Sequence, residues 1–278
     1  MVTGGTSGLG AATAIALAQE GATTIIVGRN KRKCEQIVDK IKTKTDNASV
    51  TYMMADLSSF KDINELSEEV KTQVSRLDVL INNVGARFVR RRVTVDGYEM
   101  TFSLNYLGHF LLMHLLLNLL EKSENARIIN VGSSAHESCS NINFDDLQSQ
   151  KEYNGKHAYA QSKLADILFT YELSRRLAGT GISVNAVHPG VVATNFSKNN
   201  GWISWLKHMT YHVLKGDLIG PTEGAKTIIF LATSPAVDGI SGKYFYNMEP
   251  VSSSKASYDE EMARRLWEVS LRLTQVQG

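Results

Sequence analysis

The sequence predicts one α/β domain built on a doubly wound parallel sheet, and three observations carry that prediction. Short apolar runs alternate with longer amphipathic stretches along the chain, the pattern of βαβ units. A glycine-rich turn, TGGTSGLG, stands between the first apolar residues and a helical run. No repeat, low-complexity tract or proline-rich linker divides the 278 residues. Parallel strands need crossover helices that cover both sheet faces, and right-handed crossovers make the doubly wound sheet the economical topology.

The elements follow in order. Val2 and Thr3 end a first strand that looks clipped, because strands normally run about five residues; a leader could be lost with it. AATAIALAQE is helical. TTIIV predicts a strand and residues 32–43 a helix; VTYMMA predicts the next strand and residues 61–74 the next helix. DVLINN and ARIINVG read as strands on either side of a long helix over 97–120. A helix over 158–177 leads to the strand ISVNAV. Residues 197–221 are less regular, and 258–273 read as one amphipathic helix.

Composition narrows the function classes. Hydrophobic residues are 43% and charged residues 21%, ordinary for a globular core, and the net charge of +2 offers no broad field for nucleic acid or membrane. Cys34 and Cys139 lack ligand partners at metal-binding spacing and read as free thiols in a reducing, cytoplasmic setting. FLLMHLLLNLL is apolar over only eleven residues, too short for a bilayer span and suited to a buried core helix. The expectation is no metal and no integral membrane segment.

Two motifs carry chemistry. In TGGTSGLG the glycines at 4, 8 and 10 let the backbone approach a pyrophosphate, and the helix that follows offers unpaired N–H groups and a positive dipole end. Nineteen residues past Gly10, where an acid would bond the ribose 2′-hydroxyl of NAD, stands Arg29. A guanidinium there suits the 2′-phosphate of NADP; the plainer alternative is a solvated basic helix start, which also covers Lys31 and Arg32. In HAYAQSKLAD, Tyr159 and Lys163 lie four residues apart and share a helix face. An ammonium beside a phenol favours the phenolate, as an acid–base group for alcohol/carbonyl interconversion requires.

Together these residues resemble the short-chain dehydrogenase/reductase family, whose fold is of the Rossmann type. TGGTSGLG is similar to its glycine motif, and the resemblance assigns Gly4, Thr6, Ser7, Gly8, Leu9 and Gly10 to the cofactor, with Arg29. Asp56 and Leu57 resemble its adenine-contacting pair. NNVG resembles its Asn-Asn-Ala-Gly motif, with Asn83 and Gly85 toward the cofactor and Val84 where alanine is usual. Asn105, Ser134, Tyr159 and Lys163 resemble its catalytic residues. Pro189, Gly190, Val192 and Thr194 resemble the segment that holds the nicotinamide amide. The blocks TVDGYEMTFSLNYLGHFLL and GTGISVNAVHPGVV, and the 25 positions from Ser134 to Tyr159, resemble the retinol dehydrogenase-like branch. That branch implies NADP(H) and apolar aldehydes or alcohols, and its membrane-bound members carry an N-terminal anchor not found in this sequence.

The resemblance implies that Ser134 donates to the substrate oxygen and Tyr159 supplies the proton. Lys163 then stabilises the tyrosinate and holds the nicotinamide ribose, and Asn105 anchors a relay water. Ser133 and Ser134 could instead cap a strand end, and Asn105 could bond only nearby backbone. His109, His136 and His188 read as structural, and Arg87, Arg90, Arg91 and Arg92 as a solvated loop from which one could reach the cofactor. Residues 197–221, with Trp202 and Trp205, suggest an apolar lid; a packed helix or a contact surface are the alternatives. Other functions stay open: reduction of a steroid, quinone or sugar carbonyl, or NADP sensing without chemistry. A homodimer is also open.

Overall fold

The computed structural model describes residues 1–193, 200, 201, 210 and 215–276. Its centre is an eight-stranded sheet. The strands before the switch in direction are β1 (Val2–Thr3), β2 (Thr24–Gly28) and β3 (Val50–Met54), alternating with helices α1 (Gly8–Gln19), α2 (Lys31–Thr45) and α3 (Phe60–Gln73). Then come β4 (Val79–Asn82), α4 (Met100–Leu120), β5 (Arg127–Val131), α5 (Gly155–Arg176) and β6 (Ser183–Val187). A short parallel pair, β7 (Val191–Val192) and β8 (Leu218–Ile219), forms a separate ladder. Helix α6 (Pro221–Thr233), strands β9 (Lys243–Tyr246) and β10 (Glu249–Val251), and helix α7 (Glu260–Thr274) complete the described chain.

The sheet order is β10-β9-β6-β5-β4-β1-β2-β3. The chain winds outward from β1 to β3, then returns to place β4 on the other side of β1 and winds the other way. The crevice above β1 and β4 is thus the topological switch point, where open α/β sheets bind ligands. β2 and β6 are buried along their whole length, as strands covered on both faces must be, whereas edge strand β3 alternates with exposed residues. One apolar cluster fills the face under α1, α2 and α6; another, containing Phe110, Phe169 and Trp267, fills the opposite face under α3, α4, α5 and α7.

Several expectations change. The sheet is not parallel throughout, because β10 closes the edge antiparallel to β9. No element is predicted between Pro221 and Tyr258, yet α6 and the β9–β10 hairpin lie there. The long helix starts at Met100 rather than residue 97, after an isolated bridge between Val93 and Glu99, and Glu99 caps it through the Thr101 and Phe102 N–H groups. The eleven-residue apolar run is part of this 21-residue helix, which is long and apolar enough to cross a membrane but is 78% buried inside the fold. Most of the lid segment at 197–221, both tryptophans included, lies outside the described residues.

Candidate active site

The switch-point crevice opens into a cavity of about 870 Å³. At its base, Thr3 ties β1 to β4: its hydroxyl donates to the Ile81 carbonyl and accepts from the Asn83 N–H, and Asn83 Nδ2 donates to the Thr3 carbonyl at 2.8 Å. Asn83 therefore shapes the wall with its side-chain amide already engaged. Gly4 turns the chain at φ +66°, and a Cβ on Gly10 would lie 2.5 Å from the Gly4 carbonyl oxygen and 2.6 Å from Asn83 Nδ2. Only glycine fits Gly10 against that backbone. The turn delivers the chain into α1, whose N-cap, Ser7, makes no side-chain capping bond and whose first turn carries no acid. The helix end stays open and electropositive toward the cavity, as an anion site requires.

At the far end stand Arg29, Asn30 and Lys33 from the end of β2 and the start of α2. Arg29 Nη1 lies 3.5 Å from Asp56 Oδ2, with 71% of the arginine side chain exposed. Asp56 is itself fixed, because its other oxygen accepts from the Ser58 N–H and hydroxyl. Leu57 is buried beside it as part of the wall.

The opposite end carries the candidate catalytic groups. Asn154 caps α5 through the Lys156 and His157 N–H groups, and Tyr159 follows in the first turns, half-buried in the cavity wall. Lys163 is 3% exposed, with Nζ 6.0 Å from the centre of the Tyr159 ring. Helix α5 is anchored to the sheet by a buried relay: Asn82 Nδ2 donates to Asn130, Asn130 Nδ2 to the Thr170 hydroxyl, and that hydroxyl to the Asp166 carbonyl. This relay is absent from the sequence reading, since asparagines on two separate strands show no spacing signal.

Ser134 heads a short 3₁₀ turn and is exposed at the cavity wall. Ser133, seen in sequence only as a strand-end cap, is half-buried in the same wall; its Oγ accepts from the Ala135 N–H at 3.2 Å, which leaves its own proton available. The structure thus offers two hydroxyls where the resemblance named one. His136 secures this segment: Nδ1 bonds the Ser133 carbonyl, and Nε2 accepts from the Ser254 N–H. Burial lowers its pKa, consistent with a structural role.

Asn105 stands next to the cavity without lining it. It sits fully buried in a π-helical turn of α4 at 103–107, behind the cavity wall rather than in it. Its Oδ1 accepts from the Ala86 N–H, and Nδ2 donates to the Ala86 carbonyl and the Ser162 hydroxyl. It clamps the NNVG turn to α5, and its bonds reach beyond nearby backbone. Gly85 is the gap in front of it: a Cβ there would meet Asn105 Oδ1 at 3.7 Å and Lys163 Nζ at 3.8 Å. Pro189, Gly190 and Val192 line the cavity, while Thr194 lies outside the described residues. His188 also lines it, stacked on Tyr246 and lowered by burial to about 4. Of the arginine loop, Arg87 reaches the cavity; Arg91 bonds the Gln148 carbonyl and Arg92 lies over Phe88. Among the described residues no cluster could hold a metal ion, and both cysteines are buried free thiols.

The family comparisons agree with this geometry. Residues 1–202 match the family model for short chain dehydrogenase. Human polyprenol dehydrogenase is 42% identical over 99% of this chain and 84% of its own length. Human retinol dehydrogenase 13 is 42% identical over 98% and 83%, and human retinol dehydrogenase 14 is 39% identical over 97% and 84%. Among solved structures, an uncharacterized protein from Mycobacterium paratuberculosis superimposes with a TM-score of 0.79 at 33% identity, covering 99% of this chain and 92% of that one. The Pseudomonas aeruginosa RhlG/NADP active-site complex superimposes with a TM-score of 0.70 at 26% identity, covering 92% and 94%. The chain belongs to the short-chain dehydrogenase family of oxidoreductases, in its retinol dehydrogenase-like branch.

Proposed function

We propose that this chain is an NADP(H)-dependent oxidoreductase that interconverts an apolar aldehyde or ketone with its alcohol. One observation carries the reading: the Tyr159–Lys163 dyad shares a single cavity with the uncapped end of α1 and with Arg29. The residues fit a dinucleotide, since the tight Gly4–Gly10 turn sets the uncapped end of α1 against the cavity. The α1 N–H groups would hold the pyrophosphate, Arg29 the 2′-phosphate, and Lys163 the nicotinamide ribose. When bound, the nicotinamide supplies or accepts the hydride.

The rest of the chemistry belongs to this chain. In reduction, negative charge develops on the carbonyl oxygen; Tyr159 delivers a proton to it and Lys163 stabilises the phenolate left behind. A serine hydroxyl at 133 or 134 donates to the same oxygen, and the half-buried Ser133 is the better shielded of the two. Apolar substrates are favoured because similar chains are named for polyprenol and retinol, both long apolar alcohols. A screen of NADPH and NADH oxidation with aldehydes, ketones and quinones of increasing chain length tests the reading. Turnover of long apolar aldehydes with NADPH is the expected result. Activity confined to polar carbonyls, or none, refutes it. In the same assay, Ser133→Ala and Ser134→Ala identify the donor as the residue whose loss lowers kcat without weakening cofactor binding.

A further inference from the structure

The helix that carries the dyad also carries an acid that this chemistry does not use. Asp166 lies three residues beyond Lys163 on α5, and the two side chains are 4% and 2% exposed for the lysine and the aspartate. Lys163 Nζ donates to Asp166 Oδ2 and to the Val131 carbonyl, each at 2.8 Å. Two of the three ammonium hydrogens are thus directed into the protein, and one is left for the cavity that Lys163 lines. The other carboxylate oxygen, Asp166 Oδ1, is buried without a hydrogen-bond partner. A bare buried acceptor is costly, so hydrogen-bond satisfaction does not explain the residue. A neutral amide would also give Nζ an oxygen to bond. What only the carboxylate adds is charge.

Burial by itself penalises the Lys163 ammonium. Asp166 is the largest opposing influence, followed by Tyr159, and the balance holds Lys163 above the ordinary lysine value. Burial likewise pushes Asp166 up, against the pull of Lys163. The other ionisable groups that sense these residues are neutral. His109 on α4, which senses Lys163, is lowered to about 3 by burial, and the phenol of Tyr106 on α4, which senses Asp166, is pushed up by burial. Strand β5 contributes only the Val131 carbonyl.

We infer that Asp166 is a positioning residue whose carboxylate fixes Lys163 Nζ in depth and keeps it an ammonium, so that the lysine faces the cavity charged and with one hydrogen free. The inference rests on the reading of Tyr159 and Lys163 as the reacting dyad. Asp166→Asn tests it, being nearly isosteric and removing the charge while keeping an oxygen for Nζ. With lysine side chains ¹³Cε-labelled and the Lys163 resonance assigned by Lys163→Met, the unmodified protein should titrate Lys163 above the ordinary lysine value. Asp166→Asn should lower its titration midpoint by about one pH unit or more, since a buried ammonium loses its counter-charge. The alkaline limb of the kcat/KM profile should move the same way.

The NMR readout needs no turnover, so the two readings fail separately. A protein that shows the Lys163 shift but reduces no carbonyl refutes the proposed function alone. An active enzyme whose Lys163 titration is the same with and without the charge overturns the role of Asp166. A fall in Tm with no change in Lys163 titration also overturns it, by marking Asp166 as structural only. If Asp166→Asn does not fold, the unmodified protein decides: a Lys163 that titrates below the ordinary lysine value refutes the inference.

Discussion

In the proposed function Arg29 is the residue on which cofactor choice turns, and its surroundings set the size of the expected effect. Its guanidinium already rests 3.5 Å from Asp56, in a pair whose arginine side is 71% exposed. Such exposed pairs contribute about 0–1 kcal/mol, so releasing Arg29 to a phosphate costs little. A charge-assisted bond to the 2′-phosphate is worth about 1.5–3 kcal/mol. Subtracting the first from the second leaves about 0.5–3 kcal/mol, or roughly two- to 150-fold in affinity. Arg29→Leu should therefore weaken NADPH binding by that factor and leave NADH nearly unchanged, measured as Kd by quenching of protein fluorescence. Asp56→Asn should act in the opposite direction, because it frees Arg29 and removes a negative charge from the phosphate's surroundings. An NADPH/NADH affinity ratio that stays constant across the unmodified protein and both variants would refute the assignment.

Tyr159→Phe keeps the ring and removes the proton, so kcat should fall by about 10²–10⁴ with cofactor Kd unchanged, and retention of more than about half the activity in a stopped-flow assay would exclude the proton role. Lys163→Met should lower both rate and cofactor affinity. Gly10→Ala should cost about 1–3 kcal/mol in urea unfolding and abolish tight cofactor binding, since its Cβ would stand 2.5 Å from the Gly4 carbonyl oxygen. His109 is lowered by burial from 6.5 to about 3, so the unfolded chain takes up a proton that the folded chain refuses; stability should fall as pH drops from about 6.5 towards 3, by roughly 1.4 kcal/mol per pH unit, and His109→Gln should flatten that slope in acid-unfolding curves.

The parts of this fold visible in sequence are those where a local pattern and a burial requirement coincide. TTIIV and ISVNAV are buried on both faces, so their continuous apolar character announced parallel strands. Asn154 before α5 and Ser59 before α3 cap through their side chains, a signal that the periodicity predicting helices over 158–177 and 61–74 does not use. The β9–β10 hairpin had no such signature. Its strands are four and three residues long, β10 is exposed throughout, and their pairing depends on β6 already being in place. Helix α6 begins with a proline and a mixed polar stretch, and its apolar face is defined only by packing on α1 and the sheet.

The same division runs through the site. Gly10, Arg29, Tyr159 and Lys163 line the cavity from positions that short-range spacing marks in the sequence. Asn105 resembled a catalytic residue by motif alone, but its position behind the wall depends on a π turn that adds a residue to the helical repeat and points its amide at Ala86. No helical spacing rule gives that direction. Asp166 shows the converse. The sequence places it three residues from Lys163, a spacing that on most helices means an exposed and nearly neutral pair. What changes its meaning is the burial of the whole stretch 160–173 between the sheet and neighbouring helices. In water that pair would be worth little; inside the fold it opposes the burial that would otherwise disfavour the charge on the lysine of the dyad.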